Sequence, residues 1–407
     1  MVTRRSFVVG AGAALAGPAL VRHGLAADAL KLDPRLASGV GEAARLEALP
    51  GKAPLIKLTY RPPNYETPLH HFNELYTPNE AFFVRYHLSD IPEVDSAKWR
   101  LAVGGEAAAK PFELTLEALR RDFPAAEVTA VCQCSGNRRG LFEPHVAGVE
   151  WGYGAMGNAR WKGARLKDLL ERAGLAKEAL EISFEGADGP PVEKTPDFVK
   201  SIPTWKALDP DTLVAYEMNG QPLPHFNGAP ARIVVPGWTA TYWMKHVTQI
   251  AARRTPEENF WMKSAYRIPT GKFPVVQRFL SQETAANTPI TEMVVNSVIT
   301  TPAAGEAVRL GEPLTVKGVA WDGGYGIASV EVSSDGGETW SRATLGPDAG
   351  RYSFRQWSFV ARPERKGELA FMARATNAIG QGQTAALIQN PAGYHHNLPH
   401  RVGVTVA

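Results

Sequence analysis

Cysteine is nearly absent: the 407 residues hold two, Cys132 and Cys134. Exported proteins commonly carry disulfides, yet these two sit two positions apart in Ala130-Val131-Cys132-Gln133-Cys134-Ser135-Gly136. A bridge across one intervening residue is strained, because alternate positions of an extended chain lie near the upper limit of the Cα separation a disulfide tolerates. Two thiols alone cannot hold an iron–sulfur cluster, and they fall short of a structural zinc site unless histidines join from elsewhere. No C-x-x-C-H sequence occurs, so no c-type haem is attached to this chain. At least one cysteine needs another explanation.

Charge of one sign is also lacking. The formal net charge is +3, and no Lys/Arg run is interleaved with aromatics, which argues against nucleic acid as a partner. After the first 30 residues no stretch approaches the roughly 18 apolar residues of a membrane helix, and there is no internal repeat or low-complexity tract. What remains is an ordinary globular composition, 44% hydrophobic and 21% charged, long enough for two or three domains.

Residues 1–30 read as a targeting segment. Thr3-Arg4-Arg5-Ser6-Phe7 precedes an apolar, small-residue stretch to about Val21, and Ala26, Ala27 and Ala29 supply cleavage-site chemistry. A twin arginine in this position points to the Tat route, with a Sec signal ranked second. The exported chain is expected to be soluble and periplasmic. Residues 31–80, rich in proline, read as an extended arm. From 81 to 288 the pattern is mixed α/β. Phe82–Tyr86 reads as a strand, Leu114–Arg121 as a short helix, and Glu127–Val131 as a strand running into the cysteine loop. Arg165–Gly174 has helical spacing stopped by glycine, and Ala231–Val235 reads as a buried strand. From 289 to 407, apolar alternation and Gly/Asp turns predict an immunoglobulin-like sandwich, with Ile327–Ser334, Asp335-Gly336-Gly337 and Glu338-Thr339-Trp340 as strand, turn and strand. The predicted class is α+β, an α/β domain followed by an all-β one.

The chemistry concentrates at Cys134-Ser135-Gly136-Asn137-Arg138-Arg139-Gly140, a thiol at a strand end followed by a glycine turn and two arginines. Nearby cations favour the thiolate, the form that binds metal or attacks an electrophile. A buried structural cysteine beside surface arginines is the bland alternative. The segment resembles the C-[AS]-G-N-R-R signature of the sulfite oxidase family of molybdopterin enzymes. Phe83-Val84-Arg85-Tyr86-His87 resembles that family's F/Y-V-R-N-H, with Tyr86 replacing the usual Asn. Phe184-Glu185-Gly186-Ala187-Asp188, Tyr216-Glu217-Met218-Asn219-Gly220-Gln221-Pro222-Leu223-Pro224, Pro230-Ala231-Arg232, Pro236-Gly237 and Ser264-Ala265-Tyr266 follow in the family's order.

The resemblance implies a molybdenum–molybdopterin cofactor with Cys134 as the metal's protein ligand. It implies that Arg85, Arg139 and Tyr266 line an anion pocket walled by Trp151, and that the β-rich tail is a dimerisation domain. Arginine forks suit the oxygens of sulfite. The cofactor contacts it implies are Phe83, Val84, Arg85, Tyr86, His87, Asp188, Asn227, Arg232, Trp243, Met244 and Lys245. Arg85 and His87, two apart, share a face if the segment is a strand. Two departures bear on the site. Asn227 stands where the family usually has His, and alignment places Ala392 where animal members have a pocket arginine. The implied reaction is sulfite and water to sulfate, two electrons and two protons. The electrons would pass to a c-type cytochrome, as bound subunit or transient partner, and a homodimer through the tail is the other association implied. A Tat-exported molybdopterin sulfoxide reductase is the alternative, disfavoured because such enzymes lack the β-sandwich tail.

Overall fold

A computed structural model of the chain describes residues 45–272 and 286–407. The segment read as a targeting signal lies outside the described residues. Residues 45–80, expected as an extended arm, are instead part of the folded body. The strands Arg45–Glu47, Leu55–Thr59 and Asn64–Glu66 form an antiparallel sheet with Val84–Arg85. Leu55 and Tyr65 are fully buried with Val84 and Tyr86. Proline content suggested a loose segment, but the apolar residues between the prolines found a core, and that burial outweighs the local preference.

Two five-stranded sheets make up the larger part of the first domain. In one, Val199–Pro203, Glu181–Gly186, Val247–Arg253, Leu101–Gly104 and Phe112–Leu114 lie in that order, with a parallel pairing between Val247–Arg253 and Leu101–Gly104. In the other, Ala125–Gln133 pairs with the long Met156–Arg165, which pairs in turn with Leu213–Met218. Arg232–Val234 adds at that strand's far end. The helices are short. Leu116–Asp122 starts at Thr115, whose side chain accepts from the Ala118 N–H, and Leu166–Arg172 buries Leu166, Leu169 and Leu170 as its spacing predicts. Gly174 then takes a left-handed φ of 68° that ends the helix. The expected strand over 82–86 shrinks to Val84–Arg85, because Phe82 and Phe83 turn into the main core.

The second domain is a sandwich of a four-stranded and a five-stranded sheet around Val316, Val330, Trp357, Phe371 and Val404. The predicted strand at 338–340 is not formed. Asp335 accepts from the Thr339 N–H and Ser333 from the Gly337 N–H, which keeps the backbone in a turn until Ser341–Arg342. The domains interlock through a shared core of Phe72, Val131, Met156, Val319, Trp321 and Phe354. Polar contacts reinforce the seam: Val131 N–H donates to the Tyr352 carbonyl at 2.9 Å and Trp321 Nε1 to Gln133 Oε1 at 2.5 Å. The strand that delivers the cysteines is thus clamped from the second domain.

Candidate active site

Strand Ala125–Gln133 ends one residue before Cys134. Cys134 N–H donates to the Ala155 carbonyl at 2.9 Å, and Asn137 N–H to the Cys134 carbonyl at 3.0 Å, so the chain turns sharply at the thiol. Arg138 takes a left-handed φ of 69°, which splits the consecutive arginines. Arg138 runs into the domain seam, donating to the Leu398 carbonyl at 3.0 Å and the Ser297 carbonyl at 2.5 Å. Arg139 stays beside the thiol: Nε donates to the Ala392 carbonyl at 2.8 Å and Nη1 to the Val149 carbonyl at 3.3 Å, with the guanidinium 5.2 Å from the Tyr394 ring.

Three glycines make room for Arg139. A Cβ at Gly136 or Gly393 would lie 2.6 or 2.7 Å from its atoms, and one at Gly148 3.0 Å away. Gly393 also has a φ of 61°, which other residues adopt only with strain. Gly393→Ala is therefore expected to displace the guanidinium, lowering kcat/KM about tenfold and stability by about 1–2 kcal/mol. Steady-state kinetics and denaturant unfolding check this; an unchanged KM would contradict the role given to the glycine.

A cavity opens beside Cys134. Of the residues expected at the site, Phe83, Arg85, Tyr86, His87, Cys134, Asp188, Asn227, Arg232, Trp243, Met244, Lys245 and Tyr266 line it. Three do not. Val84 packs into the small core with Leu55 and Tyr65. Trp151 is fully buried behind the cysteine loop, so it is a core tryptophan and not a wall of this cavity. Arg139 reaches the site through Tyr394, which stacks on Tyr266 at 5.6 Å with rings 10° apart. Residues missed in the sequence include Cys132, Ser135 and Phe198 in the lining, and Tyr394. Period-2 alternation carries the signal for Cys132, which shares the Cys134 face; nothing local marks Tyr394, which comes from the second domain.

The pocket is rich in positive charge. Among the described residues, no carboxylate pairs with Arg85, which donates to Asn64 Oδ1 at 3.3 Å, or with Arg139. Lys245 donates to the Arg85 carbonyl at 2.7 Å, and burial holds its ammonium well below the usual lysine range, with Asp188 opposing. Burial raises Asp188, which Lys245 opposes. Arg232 donates to the Asn227 and Trp243 carbonyls at 3.0 and 3.1 Å and lies 3.9 Å from the Cys132 sulfur. Burial pushes the Cys132 thiol up to about 11. Tyr86, the residue replacing Asn, bonds His246 Nε2 through its hydroxyl at 2.7 Å. Asn227, the residue replacing His, accepts from Lys52 at 2.5 Å and donates to the Phe83 carbonyl at 3.2 Å. The amide thus ties the N-terminal region to the cavity wall.

Tyr266 combines a left-handed φ of 59° with burial, a strained conformation typical of functional positions. Its hydroxyl bonds His87 Nε2, and His87 stacks on Phe198 at 3.7 Å. Burial and the nearby Arg85, Lys245 and Lys200 hold His87 well below its usual range, so the ring is neutral.

The descriptions "Oxidoreductase molybdopterin binding domain" and "Mo-co oxidoreductase dimerisation domain" match residues 87–261 and 287–407. Mitochondrial sulfite oxidase of Homo sapiens is 38% identical over 376 residues, covering 88% of this chain and 67% of that protein. Sulfite oxidase of Gallus gallus is 36% identical over 356 residues, 84% and 76%. The chain belongs to the sulfite oxidase family. The sulfane dehydrogenase SoxCD from Paracoccus pantotrophus superposes with a TM-score of 0.71 at 27% identity, covering 86% of this chain and 88% of that one.

Family members of this kind bind a molybdenum–pterin cofactor, and the residues present fit one. Ser135 Oγ, Thr241 Oγ1 and Arg232 Nε are buried in or beside the lining without a partner among the described residues, as donors awaiting a ligand would be. Arg232 and Lys245 suit a phosphate, Asp188 suits the N–H edge of a pterin, and the Cys134 sulfur suits a soft redox metal. No cluster of three or more His, Cys, Asp or Glu residues that could hold a metal ion occurs among the described residues.

Glu66 buttresses this arrangement from the N-terminal sheet. Its buried carboxylate accepts from Gly152 N–H at 3.2 Å and Gly154 N–H at 3.0 Å, fixing the loop that holds Cys134. Burial raises it to about 7 from an ordinary 4.5. The folded state therefore keeps a proton that the unfolded chain releases, and stability falls as pH rises from about 4.5 to 7, by about 3 kcal/mol in all. Unfolding midpoints measured from pH 5 to 7 should fall, and Glu66→Gln should remove most of that slope; an identical slope in the variant would exclude Glu66 as its source.

Proposed function

We propose that the chain oxidises sulfite to sulfate in the periplasm and passes the electrons singly to a c-type cytochrome. The observation that carries this reading is the cavity beside Cys134, which Arg85 lines and Arg139 reaches through the Tyr394–Tyr266 stack, two guanidinium groups with no carboxylate partner among the described residues. Such forks match a small oxyanion and hold it in one orientation. When bound, the molybdenum–pterin group supplies the two-electron acceptor and the oxygen-transfer chemistry. The Cys134 sulfur ties the metal to the fold, while Arg232, Lys245, Asp188 and Asn227 grip the pterin end. The Tyr266 hydroxyl and the neutral His87 ring share a hydrogen bond that fixes the phenol at the pocket without adding a negative charge. The aromatic walls Phe198, Trp243 and Tyr266, the last backed by Tyr394, exclude water, which strengthens each charge interaction inside.

The cytochrome reading draws on the lack of any C-x-x-C-H sequence in the chain, and the periplasmic reading on Arg4 and Arg5. The sandwich weighs against a sulfoxide reductase. Residues 287–407 match a dimerisation domain, so a homodimer is the competing use of that surface; the solution mass of the purified protein separates the two. A steady-state assay of the molybdenum-replete chain with sulfite and cytochrome c is expected to show cytochrome reduction. Turnover of a sulfane substrate, or reduction of methionine sulfoxide, with none of sulfite would overturn the reading.

A further inference from the structure

Lys200 lies in strand Val199–Pro203 and is 1% exposed. Its ammonium makes one hydrogen bond, to the Trp261 carbonyl at 2.6 Å. Otherwise it faces rings, 4.9 Å from the Tyr242 centroid and 5.0 Å from that of Tyr266. Among the described residues no carboxylate pairs with it. Glu181, on the neighbouring strand, is engaged by Ser201 Oγ at 2.5 Å and Glu257 N–H at 3.0 Å. A charge taken from water without a counterion is costly, and a methionine of similar length would fill the space without that cost.

What the charge sits beside is the anion pocket. Tyr266 stacks on Tyr394, so the pair of rings carries Lys200 against one member and Arg139 against the other. The second domain contributes Tyr394 and the Ala392 carbonyl here, and no cation at position 392. We propose that Lys200 is a positioning residue of this pocket: its enclosed ammonium supplies positive charge where Ala392 brings none, and its contact with the Tyr266 ring holds the Tyr266–His87 pair in place. This rests on the reading that the pocket takes an oxyanion.

Two other groups near the site, Lys52 on Asn227 and Glu66 behind the cysteine loop, are also brought to about 7 by burial and are common to wild type and the variants below; Lys200 is the one that faces the Tyr266 ring. Burial lowers it to about 7, with Arg267 lowering and Glu181 raising it. His87, packed on the same Trp261 and Tyr266, is held neutral, and burial keeps Tyr242 and Tyr266 protonated. Arg85 faces Tyr266 from strand Val84–Arg85. Charged Lys200 favours a bound anion, so affinity is expected to fall as pH rises through about 7.

The test is calorimetric binding of sulfate, whose charge is constant in this range, to the molybdenum-replete full chain from pH 6 to 8. Wild type is expected to lose about tenfold in affinity across the range. Lys200→Met and Lys200→Gln should bind about tenfold more weakly at pH 6 and lose most of the slope, and in steady state they should raise KM for sulfite more than they lower kcat. A purely structural lysine would change melting temperature and leave sulfate affinity and its slope as in wild type, which overturns the proposal. If the neutral variants lose molybdenum, Lys200→Arg decides: retained affinity at pH 6 supports the charge, and loss with normal metal content overturns it. Sulfate binding that depends on Lys200 in an enzyme that does not turn over sulfite would sink the sulfite reading and leave this one standing.

Discussion

Cys134→Ser is expected to lower sulfite turnover by about a thousandfold or more, while Cys132→Ser keeps most of it. Both thiols line the cavity, Cys132 within strand Ala125–Gln133 and Cys134 one residue past its end, so lining alone does not separate them. Their surroundings do. Cys134 lies at the strand end, 7% exposed, where the turn through Ser135 and Gly136 opens the chain toward the cavity. Cys132 is 1% exposed and packed against Arg232. A serine hydroxyl at 134 removes the soft donor that a redox metal prefers, whereas a serine at 132 removes a small apolar contact worth about 1 kcal/mol. Activity and molybdenum content of the two purified variants check this. Equal losses from both would mean that the two sulfurs act together.

Arg139→Gln is expected to reduce kcat/KM for sulfite about a hundredfold or more, mostly through KM. Its guanidinium is held by two backbone carbonyls, the Tyr394 ring and a collar of three glycines, yet Nη2 has no hydrogen-bond partner among the described residues. A cation fixed by uncharged groups keeps its full charge for a ligand. Glutamine retains hydrogen bonding and loses that charge and the fork geometry. A variant with wild-type KM would show that Arg139 serves the domain seam and not the anion.

Much of this was legible in the sequence because it depends on local order. The thiol, the glycine turn and the arginine pair are contiguous, and the ordered short motifs from Arg85 to Tyr266 mark a cavity that the fold then assembles. The sandwich was legible from alternation and turn residues. What was not legible depends on which distant segments meet. Residues 45–80 carry no strong periodicity, yet they add a sheet, the Glu66 buttress and the Lys52–Asn227 contact. Tyr394 and Lys200 sit in segments with no motif, and only the stacking on Tyr266 gives them a part in the site. Trp151 shows the reverse: its place in a motif suggested a pocket wall, and the close turn around Cys134 put the ring in the core instead.

The reaction itself is open to direct measurement. Purified, molybdenum-replete protein mixed with a limiting amount of sulfite and excess oxidised cytochrome c should form one sulfate and two reduced cytochromes for each sulfite consumed. Sulfite left intact while the cytochrome stays oxidised, in protein carrying its full complement of molybdenum, would contradict it.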